Sequence, residues 1–138
     1  MRKTILAAAL LAWAGAAHAQ ELKKGNLVGV HTFTVKLAPG VTVEKFVDFY
    51  NRKVLPAYLA SRPGWKGYPV KWVRGAKAEG IGVIIVVPSV AERDRYYNAD
   101  GSDSDLGKAA NAKAQPVFDE MERLGTVASN VYTDWLVY

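Results

Sequence analysis

The chain has 138 residues, 50% of them hydrophobic and 22% charged, and no cysteine. That is enough for one domain of ordinary globular composition, which excludes collagen-like, coiled-coil and intrinsically disordered chains. The missing cysteine removes disulfides, thiolate nucleophiles, Cys-ligated zinc and iron–sulfur clusters. The formal charge of +5 is scattered over pairs such as Lys23–Lys24 and Arg52–Lys53, not gathered on one face as a nucleic-acid binder requires.

Residues 1–20 read MRKTILAAALLAWAGAAHAQ. Arg2 and Lys3 form a positive start, Ile5 to Ala14 a short apolar run, and Ala17-His18-Ala19 the small-x-small pattern of a signal-peptidase site. The run is shorter than the ~20 apolar residues of a membrane span. The expectation is a signal peptide over 1–19, cleaved after Ala19, and a periplasmic or secreted mature domain over 20–138 that no longer contacts the membrane. Loss of Arg2 and Lys3 lowers the formal charge from +5 by two.

Leu27 to Leu37 is rich in β-branched and aromatic residues and predicts the first strand, ended by a turn at Pro39-Gly40. Thr42 can cap a helix that carries Glu44 in its first turn. Val43, Phe46, Val47, Tyr50 and Val54 form its apolar stripe, and Pro56 should kink or end it. Trp65 to Arg74 predicts a second strand, with Pro69 favouring a sheet edge. After a turn at Lys77 to Gly80, Ile81 to Val87 has no charge and reads as a central strand buried on both faces.

Ser89-Val90-Ala91-Glu92 fits a capping box opening a helix that runs to about Asn98. A polar loop, Asp100 to Asp105, precedes a helix from about Leu106. Pro116 is expected to break that helix, Val117, Met121 and Leu124 to face inward, and Gly125 to stop it. Val131 to Tyr138 predicts the last strand. The order β-α-β-β-α-β is the split βαβ, ferredoxin-like α+β unit: a four-stranded antiparallel sheet with helices on one face. Both faces of the first and last strands carry apolar residues. The uncovered face would therefore exceed the few hundred Å² of apolar patch that soluble monomers tolerate. The expectation is a homodimer packed sheet to sheet.

His31 to Gly40 (HTFTVKLAPG) leads into Phe46 to Tyr50 (FVDFY) and Val54-Leu55-Pro56, and Pro88 to Arg95 (PSVAERDR) follows the third strand. In these segments the chain resembles the dimeric α/β-barrel superfamily, and within it NIPSNAP-like and antibiotic-biosynthesis-monooxygenase domains. The resemblance implies a pocket between sheet and helices or inside a dimer barrel. Its members include cofactor-independent oxygenases, haem-degrading enzymes and proteins without known activity. Haem-degrading relatives hold haem through a helical histidine, and neither helical region here contains one.

With His18 in the leader, His31 is the only histidine of the mature chain and the one candidate catalytic base. A hydrogen-bonded structural histidine is the alternative. One histidine cannot build a two-His-one-carboxylate iron site, so no metal is expected, and no cofactor either. Tyr50, Trp72, Arg74, Tyr132 and Trp135 are candidate ligand-binding residues, because rings stack on flat molecules and Arg74 can pair with an anion. Core and interface filling explains the same aromatics. Asp100, Asp103 and Asp105 lack the glycine and glutamate spacing of a calcium loop, and no Gly-x-Ser-x-Gly elbow occurs. Two readings stand: a dimer that binds a small apolar or aromatic molecule or a partner protein, and a cofactor-independent monooxygenase or related small-molecule enzyme.

Overall fold

A computed structural model describes residues 22–74 and 81–138. The proposed signal peptide and the turn expected at Lys77 to Gly80 lie outside the described residues. Four strands, β1 (Leu27–Leu37), β2 (Lys66–Lys71), β3 (Ile81–Val87) and β4 (Gly125–Leu136), form one antiparallel sheet in the order β2-β3-β1-β4. This is the ferredoxin-like arrangement, in which β3 splits the β1–β2 crossover. β1 and β3 have the bounds expected from sequence, and β3 is buried along nearly its whole length. β2 is an edge strand, as Pro69 requires, but it is shorter than expected: Trp65 precedes it, and Trp72 and Arg74 follow it.

The helix after β1 does not end at Pro56. It widens. α1 (Val43–Phe49) passes through a single π turn, Tyr50–Val54, into α2 (Leu55–Ala60), with the Leu55 N–H donating to the Tyr50 carbonyl five residues back. Pro56 has no N–H to give the carbonyl four residues earlier, and the wide turn absorbs that gap. The extra residue rotates the buried face. Val54 and Leu55 are therefore both in the core while Val43, counted in the expected stripe, is 40% exposed. Thr42 caps α1 by accepting from the Lys45 N–H, and Gly40 takes a positive φ of 75° at the predicted turn.

The second helical region begins with α3 (Val90–Asp94), shorter than expected. Ser89 Oγ accepts from the Glu92 N–H, but the Glu92 carboxylate turns to Arg95, so only half of the capping box forms. α4 (Asp105–Leu124) is one continuous 20-residue helix that contains Pro116, contrary to the expected break. Pro116 and Ala112, whose carbonyl it leaves without its helical partner, are both solvent-exposed, so water can satisfy that group. α4 passes into β4 at Gly125 without a loop. A side chain there would press on Val35 Cγ1 at 2.7 Å. β4 thus starts six residues earlier than Val131. Its polar opening, Thr126 to Asn130, is tolerated because β4 is an edge strand exposed along both faces.

The helices cover one face of the sheet. Leu27, Phe33, Ile81, Val83, Ile85 and Val87 meet Phe46, Leu55, Trp65, Tyr96 and Ala110 there. In the register of the ladders, Val28, Val30, Val70, Ile84, Val131 and Trp135 point to the other face, away from the helices. Among the described residues no helix is long and apolar enough to cross a membrane.

Candidate functional site

The helix-covered face is not filled to its edge. Two adjoining cavities of about 270 and 220 Å³ lie between sheet and helices, and His31, Tyr58, Ile85, Tyr97 and Asn130 line both. They form one cleft. Its first half is apolar, walled by Phe33, Tyr50, Val83 and Met121; its second is polar, with Arg93, Tyr132 and Asp134.

Strand alternation puts His31 in this cleft. It shares the inward face of β1 with Leu27, Gly29 and Phe33, and pairs across to Tyr132 on β4. The two rings stack, centroids 5.6 Å apart and planes 19° from parallel. Burial drives the His31 pKa below its usual value, with Asp134 pulling the other way, so the imidazole is neutral at neutral pH. A neutral ring is what a proton acceptor needs.

The glycine two residues before His31 has a local cause. A Cβ on Gly29 would stand 3.2 Å from both His31 Nε2 and Asp134 Oδ1. The bare backbone lets an imidazole and a carboxylate converge over the sheet. Asp134 is held from its other side, Arg93 Nε lying 3.4 Å from Oδ2, and Arg93 in turn sits over the Tyr97 ring at 5.2 Å.

The helical wall is built from tyrosines. Tyr58 and Tyr97 share a hydrogen bond between hydroxyls, 2.7 Å. Burial pushes the Tyr50 phenol up to about 12; it raises Tyr58 as well, Tyr97 adding to the effect and Arg62 opposing it. Both stay protonated and serve as apolar walls or neutral hydrogen-bond groups. Arg62, 1% exposed, fixes this wall from behind. Its guanidinium lies 3.7 Å over the Tyr58 ring and donates to the Tyr58 carbonyl and to Asn111 Oδ1. The turn at Gly101, φ 83°, closes the polar end and brings the chain against the Tyr132 hydroxyl.

Of the residues expected from sequence, the fold brings His31, Tyr50 and Tyr132 together in the cleft. It does not bring the others there. Trp135, one residue out of phase with Asp134, points to the opposite face of the sheet and is 62% exposed. Trp72 and Arg74 lie past the end of β2, outside both cavities. Sequence reasoning missed Gly29, Tyr58, Tyr97, Asn130 and Asp134. Gly29 was the available signal, since a glycine inside a β-branched strand marks a close approach. No group of three His, Asp or Glu side chains placed to hold a metal ion occurs among the described residues.

Compared by sequence, the chain matches no protein-family model and none of the curated proteins. By structure it is similar to SnoaB, a cofactor-independent oxygenase from Streptomyces nogalater, with a TM-score of 0.47 and 18% identity over 83% of this chain and 94% of SnoaB. It is also similar to a dimeric protein of unknown function and ferredoxin-like fold from Bacteroides fragilis, with a TM-score of 0.48 and 14% identity over 83% of this chain and 98% of that one. A dimeric ferredoxin-like protein of unknown function from Thermobifida fusca aligns with a TM-score of 0.41 and 14% identity, over 86% of this chain and 96% of that one.

Proposed function

We propose that this protein binds a small planar, largely apolar molecule in the cleft between its sheet and its helices. The observation that carries the reading is the cleft itself: two joined cavities walled by Tyr50, Tyr58, Tyr97 and Tyr132, with His31 at their junction. Rigid rings offer flat contact area at low entropic cost, and a mostly apolar pocket with few polar groups is the usual form of a small-molecule site. The test is a thermal-shift and calorimetric screen against planar bicyclic and tricyclic aromatics. Met121→Trp narrows the apolar half from the half-buried face of α4 and should abolish binding while the fold persists. A screen in which nothing stabilises the protein, or a Met121→Trp variant that binds as well as the wild type, refutes the reading.

A cofactor-independent oxygenase is the second reading, favoured by the neutral His31 ring inside the cleft. There a ring CH2 of the bound molecule is oxidised to C=O by dioxygen, one oxygen atom entering the ring and the other leaving as water, and His31 takes the first proton released. Oxygen uptake that is unchanged in His31→Ala removes this reading and leaves the first.

The outer face of the sheet supports pairing with a second copy of the chain, closing the two sheets into an α/β barrel. Val28, Val30, Val70, Ile84, Val131 and Trp135 bring apolar side chains to this face from all four strands, with Thr32 and Thr133 between them. Residues 1–19 support export to the periplasm, which N-terminal sequencing of the mature protein tests.

A further inference from the structure

A planar molecule in the cleft meets two polar atoms at one end, and their arrangement is selective. Gly29, His31 and Asp134 line one notch of the cleft, where a Cβ on Gly29 would press at 3.2 Å on both His31 Nε2 and Asp134 Oδ1. The remaining charges facing it leave the notch on the acidic side. Arg93 is the cation at this end, and two carboxylates share it: its Nε lies 3.4 Å from Asp134 Oδ2 and its NH1 3.4 Å from Asp94 Oδ1. Tyr58, Tyr97 and Tyr132 complete the surroundings with their rings and hydroxyls.

A group seated between an imidazole nitrogen and a carboxylate oxygen must give a hydrogen to the carboxylate. It must also either accept from Nε2–H or leave its own lone pair clear of an unprotonated Nε2. A neutral hydroxyl meets these demands in either imidazole tautomer. An ether or a carbonyl has no hydrogen to give. A carboxylate adds a third negative charge beside one cation and leaves Asp134 Oδ1 without a donor. Resting on the reading of the cleft as a planar-ligand site, we propose that the Gly29 notch, between His31 and Asp134, is a hydroxyl-binding subsite. It makes the cleft select neutral hydroxylated ring systems over their ether and carboxylate counterparts, and Asp134 is its specificity-determining residue.

Three probes of matched ring position test this by calorimetry: naphthol, methoxynaphthalene and naphthoate. The expected order has naphthol binding at least about tenfold tighter than either of the others, the scale of one hydrogen bond to a charged acceptor. Asp134→Asn should weaken naphthol several-fold and strengthen naphthoate, collapsing the preference. Gly29→Ala fills the notch and should bring naphthol down to the affinity of methoxynaphthalene. Should the alanine variant fail to fold, Asp134→Asn carries the test alone, because Asp134 lies on an exposed edge strand. Equal binding of the three probes, or a preference that survives Asp134→Asn, overturns the hydroxyl subsite and leaves the cleft reading intact. Binding of none of them by the wild type overturns both.

Discussion

Replacing Trp135 by lysine tests whether the outer face of the sheet pairs with a second copy. Trp135 is 62% exposed on the uncovered face, and its side chain makes one hydrogen bond, from Nε1 to the neighbouring Thr133 hydroxyl. An aromatic side chain of this size offers ~150–250 Å², so at 62% exposure roughly 90–155 Å² of each copy is free to be covered. At ~25 cal/mol per Å² that is about 3 kcal/mol, and a two-fold interface counts it twice. Lost side-chain freedom and imperfect fit take back a part. A net loss of about 3 kcal/mol still raises the dimer dissociation constant at least ~100-fold. Lysine adds a charge on an edge strand, a substitution that protects such edges from pairing. Light scattering across a concentration series reads the result: a dimer for the wild type at micromolar concentration, and a monomer with unchanged far-ultraviolet circular dichroism for the variant. A wild-type monomer at those concentrations, or a Trp135→Lys dimer as tight as the parent, refutes the reasoning.

The same geometry fixes five further outcomes. The His31 ring, followed by NMR, should titrate below 6.5, because burial outweighs the attraction of Asp134; Asp134→Asn should lower the midpoint again. The folded state then resists a proton that the unfolded state accepts, so this contribution to stability is complete above about pH 6.5 and is lost as the pH falls through the folded-state value; a denaturant midpoint that rises on acidification over that window contradicts it. Tyr97→Phe leaves the Tyr58 hydroxyl without its 2.7 Å partner and should cost about 1–2 kcal/mol in urea unfolding, against no loss if the pair is ornamental. Gly107→Ala drives a methyl into the Tyr96 carbonyl and should cost about 1–3 kcal/mol or more, whereas Pro116→Ala, at an exposed position inside α4, should stabilise by about 1–3 kcal/mol, both read from the thermal midpoint.

The sheet was legible where one residue class ruled a whole segment. The uncharged β3 and the β-branched β1 have their observed bounds because burial on the sheet selects those side chains directly. The helices were less legible at their prolines. Pro56 and Pro116 each remove one hydrogen bond, but a π turn absorbs the first and solvent the second, and neither remedy leaves a mark in the local sequence. β4 escaped at its polar start because an edge strand has no buried face to enforce a pattern. For the site, strand parity decided what was visible. His31 and Tyr132 share a face by pairing register, which requires knowing that β1 lies against β4. Trp135 looked like their companion in sequence but sits one step out of phase. Tyr58 and Tyr97 meet only because α2 and the segment after α3 pack on the same sheet, 39 residues apart along the chain.

β4 ties the two faces of the sheet to one another. Its inward residues Asn130, Tyr132 and Asp134 supply much of the polar end of the cleft, and its outward residues Val131 and Trp135 supply the most exposed part of the bare face. The strand has β1 as its single neighbour and is exposed along both sides. Eleven of its residues pair with β1, so one ladder carries both surfaces. A copy of the chain seated on Trp135 would restrict the same backbone that carries Tyr132 and Asp134. By linkage the effect is mutual: whatever free energy pairing adds to ligand binding, a ligand against Tyr132 and Asp134 returns to pairing. Alternation along β4 sets each side chain of one surface a single peptide away from the next on the other, which is the placement such a coupling would use.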